Sequence, residues 1–327
     1  MGIITIEKTE DLIKNAFKKA AKEGRAVRKA RDKLVRKRLV EANKIKIAAG
    51  YLTKKIHNLV TAFPSIDSLH PFYIEMLGTI TDIKNLKKSL GHAERIVKLI
   101  KKIRAESIKQ IYKTKDARKV VAVRKQFFAR ALSLVKDCEE SIELINQAGK
   151  EFKNLPTISS DSFSVILAGY PNVGKTTILK RLTGSKPKIA PYPFTTKSIG
   201  LGYFEHKYRK IQVIDTPGLL DRPAEKRNPA EKKAIAALKH LADLIIFVID
   251  PTTYCGYNAR EQLNLLNEVR KLFPESRILV VVNKADVASK KEIASVREKL
   301  KEFILSGKNI DGGLKREIGE IASQGSI

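Results

Sequence analysis

The sequence predicts an all-α antiparallel helical bundle over 1–156, followed over 157–327 by an α/β domain whose mostly parallel sheet carries helices on both faces. Three observations predict this. Apolar residues recur at steps of three and four through the first half. The segment Asn154 to Ser160, with Pro156 and a cluster of hydroxyl residues, then breaks the helical pattern as a linker would. Beyond it, short β-rich runs alternate with helical stretches, the pattern of strands joined by crossover helices. A chain of 327 residues suits two domains of roughly 100–200 residues each. With 43% hydrophobic and 30% charged residues it has the composition of a folded protein.

In chain order, the first helical feature is a basic run. Nine residues from Lys22 to Arg38 are Lys or Arg, against Glu23 and Asp32, and on a helix they cover nearly every face. A stripe through Ala42, Ile45, Ala49, Leu52, Ile56 and Leu59 follows, closed by Pro64 and Pro71. The next stripe is Ile96, Leu99, Ile100 and Ile103, with Gly91 expected to mark a connection. Another runs from Val120 through Phe127 and Cys138 to Ile145, which makes Cys138 a core residue. After the linker, strands are expected at Phe163–Ala168, Ile211–Ile214, Leu244–Ile249 and Ile278–Val282, with helices at Ala230–Leu241 and Asn258–Phe273.

Composition excludes several classes. Two cysteines, Cys138 and Cys255, make no disulfide scaffold, and a reducing compartment fits best. The first ten residues lack a secretory apolar stretch, and Gly2 lacks the hydroxyl residue a myristoylation signal needs, Ile6 standing there. No apolar run approaches the roughly 20 residues that span a bilayer. The five histidines show no metal-ligand spacing. A net charge of +29 calls for a polyanionic partner.

The chemistry lies in the second half. Gly169 to Thr176 read GYPNVGKT, the GxxxxGK[ST] loop, directly after a predicted strand and opening a helix. Its glycines let backbone amides converge on phosphate oxygens at the positive end of that helix, and Lys175 adds a point charge. Gly169, Pro171, Asn172, Val173, Gly174, Lys175, Thr176 and Thr177 are therefore candidate nucleotide-binding residues. The Thr176 hydroxyl is a candidate Mg²⁺ ligand. Asp215, Thr216, Pro217 and Gly218 follow another strand, where Asp215 can hold the hydrated metal and the Gly218 amide can sense a terminal phosphate. Asn283, Lys284 and Asp286 belong to NKAD after the last apolar strand. A carboxylate at Asp286 accepts from the N1–H and amine of guanine, whereas adenine leaves it unpaired, so the base is guanine. Thr195 and Thr196 lie in the Pro-rich stretch Pro191–Lys197; one of them is expected to reach Mg²⁺, Thr196 also being a candidate catalytic residue beside Lys175, Asn172 and Gly218.

These motifs, in this order, resemble those of translation-factor-like GTPases. The stretch DTPGLLDRPAEKRNPAEKKAIAALKHLADLIIFVIDPTTYCGY, Asp215 to Tyr257, is similar to the Nog family of Obg-related GTPases, the nucleolar GTP-binding proteins and their archaeal relatives. That family also places a basic helical domain before its P-loop GTPase domain. The resemblance implies an archaeal-type member that binds GTP/GDP with Mg²⁺ and matures the large ribosomal subunit. Its implied partners are the pre-ribosomal particle, ribosomal RNA, and ribosomal proteins or assembly factors. It implies a cytoplasmic protein, nucleolar in a eukaryote; no membrane contact is expected, because the basic charge surrounds its helix rather than facing an apolar side, and a monomer is the default expectation. The expected switches are Phe194–Lys197 and Gly218–Asn228. Leu219 stands where many GTPases carry a water-orienting Gln, so intrinsic hydrolysis is expected to be slow. Asn172 matches the asparagine that holds K⁺ in potassium-activated GTPases. Ile321 to Gly325 resemble a degenerate form of the loop that meets guanine O6, with Ser323 as its contact; since the sequence stops at Ile327, the helix that would follow it is expected to be missing. Two rival readings keep the same motifs: an Obg-like ribosome-associated stress sensor, and a non-enzymatic RNA-binding scaffold with structural GTP.

Overall fold

A computed structural model describes the chain except residues 1–2, 25–30, 160–161, 185–186, 192–197, 301, 308–310 and 325–327. Thr195 and Thr196, with the rest of the first expected switch, thus lie outside the described residues, as do Arg25, Arg28 and Lys29. The chain divides into two compact units: Met1–Leu69 with Ile80–Lys153, and His70–Thr79 with Asn154–Ile327.

The first unit holds α1 (Thr9–Glu23), α2 (Lys33–Ala62), a short 3-10 turn at Ile66–Ser68, and, after α3 (Pro71–Ile80), the long α4 (Ile83–Lys113), α5 (Ala117–Asp137) and α6 (Glu139–Lys153). Asp32, Asp82 and Asp116 cap α2, α4 and α5 by accepting a first-turn backbone amide, which satisfies a donor the helix cannot. The apolar stripes meet where α2 packs on α1, α4 and α5, and α4 packs on α5 and α6. Ile45, Leu52, Ile56, Ile100 and Phe127 are completely buried there.

Three sequence expectations change. The basic run is not one helix, because α1 stops at Glu23 before Gly24 and α2 starts after Asp32. Gly91 marks no connection; it sits inside α4, on an exposed face, where one glycine costs about 1 kcal/mol and 31 residues of helix absorb it. The stripe from Val120 to Ile145 crosses two helices, α5 ending at the buried Cys138, whose thiol burial pushes up to about 12.

The second unit contains α3 and everything after α6. The Tyr73 hydroxyl donates to Pro156 O at 3.0 Å and accepts from Ile158 N at 2.9 Å, which fastens α3 to the segment leading into the sheet. The elements are β1 (Phe163–Ala168), α7 (Lys175–Thr183), β2 (Lys188–Pro191), β3 (Ser198–His206), β4 (Arg209–Asp215), α8 (Pro229–Lys239), β5 (Leu244–Ile249), α9 (Ala259–Leu272), β6 (Arg277–Val282), α10 (Lys290–Lys299), β7 (Ile304–Leu305) and α11 (Asp311–Gln324). The sheet order is β2-β3-β4-β1-β5-β6-β7, parallel from β4 through β7 and antiparallel at β3 and β2. β5 is buried along its whole length, which is why LIIFVI reads as one apolar run without alternation. In such sheets, binding residues gather in the crevice beyond the carboxyl ends of the strands.

The helix expected to be missing is present: α11 follows β7 and packs on α7 and β4. Ile321 to Gln324 are its last turn, and the Ser323 hydroxyl donates to Gly319 O at 2.8 Å, so Ser323 belongs to a helix and not to a base-contacting loop.

Candidate functional site

The phosphate-binding candidates occupy the turn between β1 and α7. Gly169 (φ 130°) and Gly174 (φ 100°) hold backbone conformations that a side chain strains. They also lack room: a Cβ at Gly169 would collide with Val248 O, and one at Gly174 with the Asn283 amide nitrogen. Gly174 is the N-cap of α7, so the first amides of that helix open into the turn. Lys175 is only 7% exposed, and its ammonium donates to Gly169 O at 2.7 Å and Tyr170 O at 2.8 Å, bracing the loop across its mouth. Asn172 sits exposed at the rim with φ 64°.

At the end of β4, Asp215 is 1% exposed. Its Oδ2 accepts from the Thr176 hydroxyl at 2.6 Å, while Oδ1 is buried with no protein partner. Burial raises its pKa, the Thr176 bond and the Lys175 charge opposing this and the Asp221 charge adding to it. A buried carboxylate oxygen left without a donor beside a threonine hydroxyl is a donor set that suits a hard cation such as Mg²⁺. Among the described residues, no cluster of His, Cys, Asp and Glu is dense enough to hold a metal by itself.

After Asp215 the chain turns sharply. Gly218 (φ 87°) donates its amide to Asp221 Oδ2 at 2.7 Å, and Leu219 is 1% exposed, turned into the core. The charged run Asp221–Arg227, within the second expected switch, makes several ties to its neighbours. Arg222 pairs with Glu231, Arg227 Nη2 donates to Arg222 O at 2.7 Å, and Ala224 N donates to Glu268 at 2.9 Å. Lys175, Thr176, Asp215, Pro217 and Asp221 all line one cavity of about 410 Å³.

The NKAD residues follow β6. Asn283 donates its side-chain amide to Val173 O at 2.8 Å, fastening this loop to the phosphate loop. Lys284 (φ 57°) donates to Asp250 Oδ2 at 2.6 Å; Asp250, at the end of β5, is completely buried and also accepts from Thr252 and Cys255. Sequence reasoning passed over Asp250, which shows no motif apart from its place after an apolar strand. Asp286 is exposed, and its Oδ1 lies 2.8 Å from where a Cβ on Gly307 would stand. The segment beside the Asp286 carboxylate is therefore Ser306–Gly307, after β7, with Ala285 N donating to Ser306 O at 3.0 Å. Two residues of strand before it left too short a signal to find it in the sequence. Tyr170, within the phosphate loop, and Tyr257 stack with ring centroids 3.8 Å apart.

Known proteins resemble the chain along most of its length. Residues 2–159 match the family described as "NOG1 N-terminal helical domain", and residues 164–284 the family described as "50S ribosome-binding GTPase". An uncharacterised protein of Methanocaldococcus jannaschii is 37% identical over 290 residues, 88% of this chain and 81% of that protein. Nucleolar GTP-binding protein 1 of Encephalitozoon cuniculi is 31% identical over 254 residues, 78% of this chain and 48% of its own. The protein of the same name in Saccharomyces cerevisiae is 28% identical over 302 residues, 92% and 47% respectively. The chain thus spans about half the length of these two eukaryotic relatives.

Proposed function

The chain belongs to the NOG1 family of GTPases, and from that premise we propose that it is a GTP-hydrolysing switch in assembly of the large ribosomal subunit. In this reading the GTP form docks on the pre-ribosomal particle through ribosomal RNA, and the GDP form leaves. Residues 157–327 act as the nucleotide switch and 1–156 as the basic domain that meets RNA. The observation that carries the reading is the convergence of Lys175, Asp215 and the Asn283–Val173 bond on one cradle at the carboxyl edge of the sheet.

Each residue then has a task. The amides of Gly169 to Thr176 and the Lys175 ammonium neutralise the β and γ phosphates. Thr176 and Asp215 hold Mg²⁺, which when bound spreads the phosphate charge during transfer. Asp286 accepts two hydrogen bonds from guanine, and Asn283 keeps that carboxylate's loop against the phosphate loop. In this reading Asn172, exposed at the rim, holds K⁺ near the phosphates, so turnover should be faster in KCl than in equimolar NaCl. Equal rates would remove K⁺ from the mechanism.

The net charge of +29 supports an RNA partner, since each Lys or Arg that meets a phosphate releases condensed counterions. Co-sedimentation with immature large-subunit particles tests the reading: the chain should travel with them when loaded with a non-hydrolysable GTP analogue and stay behind with GDP. Identical behaviour in both states would overturn it. A second reading, an RNA-binding scaffold with structural GTP, draws on the burial of Leu219, which leaves no side chain there to orient water. Single-turnover hydrolysis with and without particles separates the two, because a scaffold gains no rate from its partner.

A further inference from the structure

We propose that Asp221 is a stand-in for the terminal phosphate, and that it sets how strongly the site prefers a nucleoside triphosphate over a diphosphate. The inference rests on the reading of the cavity as a guanine-nucleotide site.

The argument starts from one hydrogen bond. The Gly218 amide is the backbone donor at the turn after Asp215, and Asp221 Oδ2 holds it at 2.7 Å. The carboxylate is 5% exposed and lines the same cavity as Lys175, Thr176 and Asp215. A negative oxygen therefore already sits on the donor where a third phosphate would place its own. One amide proton serves one acceptor well, and two anions crowded onto it repel each other. A diphosphate leaves this contact alone. A triphosphate has to displace it.

Displacement would be felt elsewhere, because Asp221 is held between fixed points. One residue before it, Leu220 O accepts from Gly169 N at 3.0 Å, which pins the chain to the phosphate loop. One residue after it, Arg222 pairs with Glu231, which also forms the capping box of α8 with Asn228. Moving Asp221 off Gly218 pulls on the segment between these anchors, so the presence of a terminal phosphate reaches the start of α8 through a single carboxylate.

The test uses the full chain, GDP and a non-hydrolysable GTP analogue, with affinities measured by calorimetry for wild type, Asp221→Asn and Asp221→Ala. Removing a charged competitor for one hydrogen bond should tighten the GTP analogue on the order of tenfold in Asp221→Ala, and less in Asp221→Asn, which keeps a neutral acceptor. GDP affinity should rise by a smaller factor than that of the analogue, because GDP loses only the repulsion of a nearby charge and no competitor for the Gly218 amide, and circular dichroism of the nucleotide-free variants shows that they fold. Unchanged analogue binding, or equal changes for both nucleotides, would overturn the proposal. So would unchanged affinities with slower GTP hydrolysis in Asp221→Asn, the signature of a residue that handles water. If the wild-type chain binds neither nucleotide, the reading of the cavity fails instead.

Discussion

At the scale of single residues, the cradle depends on positions where one atom is too many. Gly174→Ala places a Cβ against the Asn283 amide at a φ of 100°, so it strains the backbone and breaks the tie between the two loops. Such strain costs about 1–3 kcal/mol, and nucleotide affinity should fall roughly tenfold to a hundredfold, read by calorimetry. Asp215 carries the opposite kind of stress. Burial lifts its pKa, so near neutral pH the ionised carboxylate opposes folding of the nucleotide-free protein. Asp215→Asn should therefore melt higher than wild type without nucleotide, the gap closing as pH falls through the raised pKa, and should lose the extra stability that Mg²⁺ and nucleotide confer. Residues of this kind were legible in the sequence because the backbone around them admits few substitutes: Gly169, Gly174, Lys175 and Asp286 stand in fixed spacing. Asp250 and Ser306 were not legible, since their roles come from neighbours brought in by the sheet, Lys284 for one and Ala285 for the other.

Among elements, strands and helices with a strong period came through. β1 and β5 begin and end where the apolar runs do, α9 is one residue shorter than expected at each end, and β6 starts one residue earlier. Strand β3 did not, because Gly200 and Gly202 interrupt its alternation; they are glycines because Leu179 and Thr183 of α7 press against the strand at those points. The end of α11 resembles a loop motif over five residues, while Leu314, Ile318, Ile321 and Ala322 recur at helical steps and are buried. Capping boxes now explain where several helices start. Asn258 accepts from Glu261 N at 3.0 Å and the Glu261 carboxylate accepts from Asn258 N at 2.8 Å, so Asn258→Ala should cost about 1 kcal/mol, read as a lower urea midpoint at unchanged slope. Gly91 points the other way. Nothing lies within 4 Å of an added methyl there, and Gly91→Ala should raise stability by about 1 kcal/mol.

On the scale of the whole chain, charge and topology decide behaviour. An excess of 29 positive charges should make RNA affinity fall steeply with salt, by about 10³-fold between 50 and 200 mM if roughly six phosphates are met, which filter binding across a salt series would read. A flat response would remove phosphate contact as the source of binding. The division into a helical and an α/β part was legible from the change of period near residue 156, yet the grouping of α3 with the second unit was not, since it depends on the Tyr73 hydroxyl meeting Pro156 and Ile158, 83 and 85 positions away. The bond from Asn283 to Val173 joins residues 110 positions apart. Synthesis runs in one direction, so a nascent chain that already displays its phosphate loop has yet to make the strand that fastens it. Until that strand has been translated and docked, the growing polypeptide lacks the side chain that ties its phosphate loop in place.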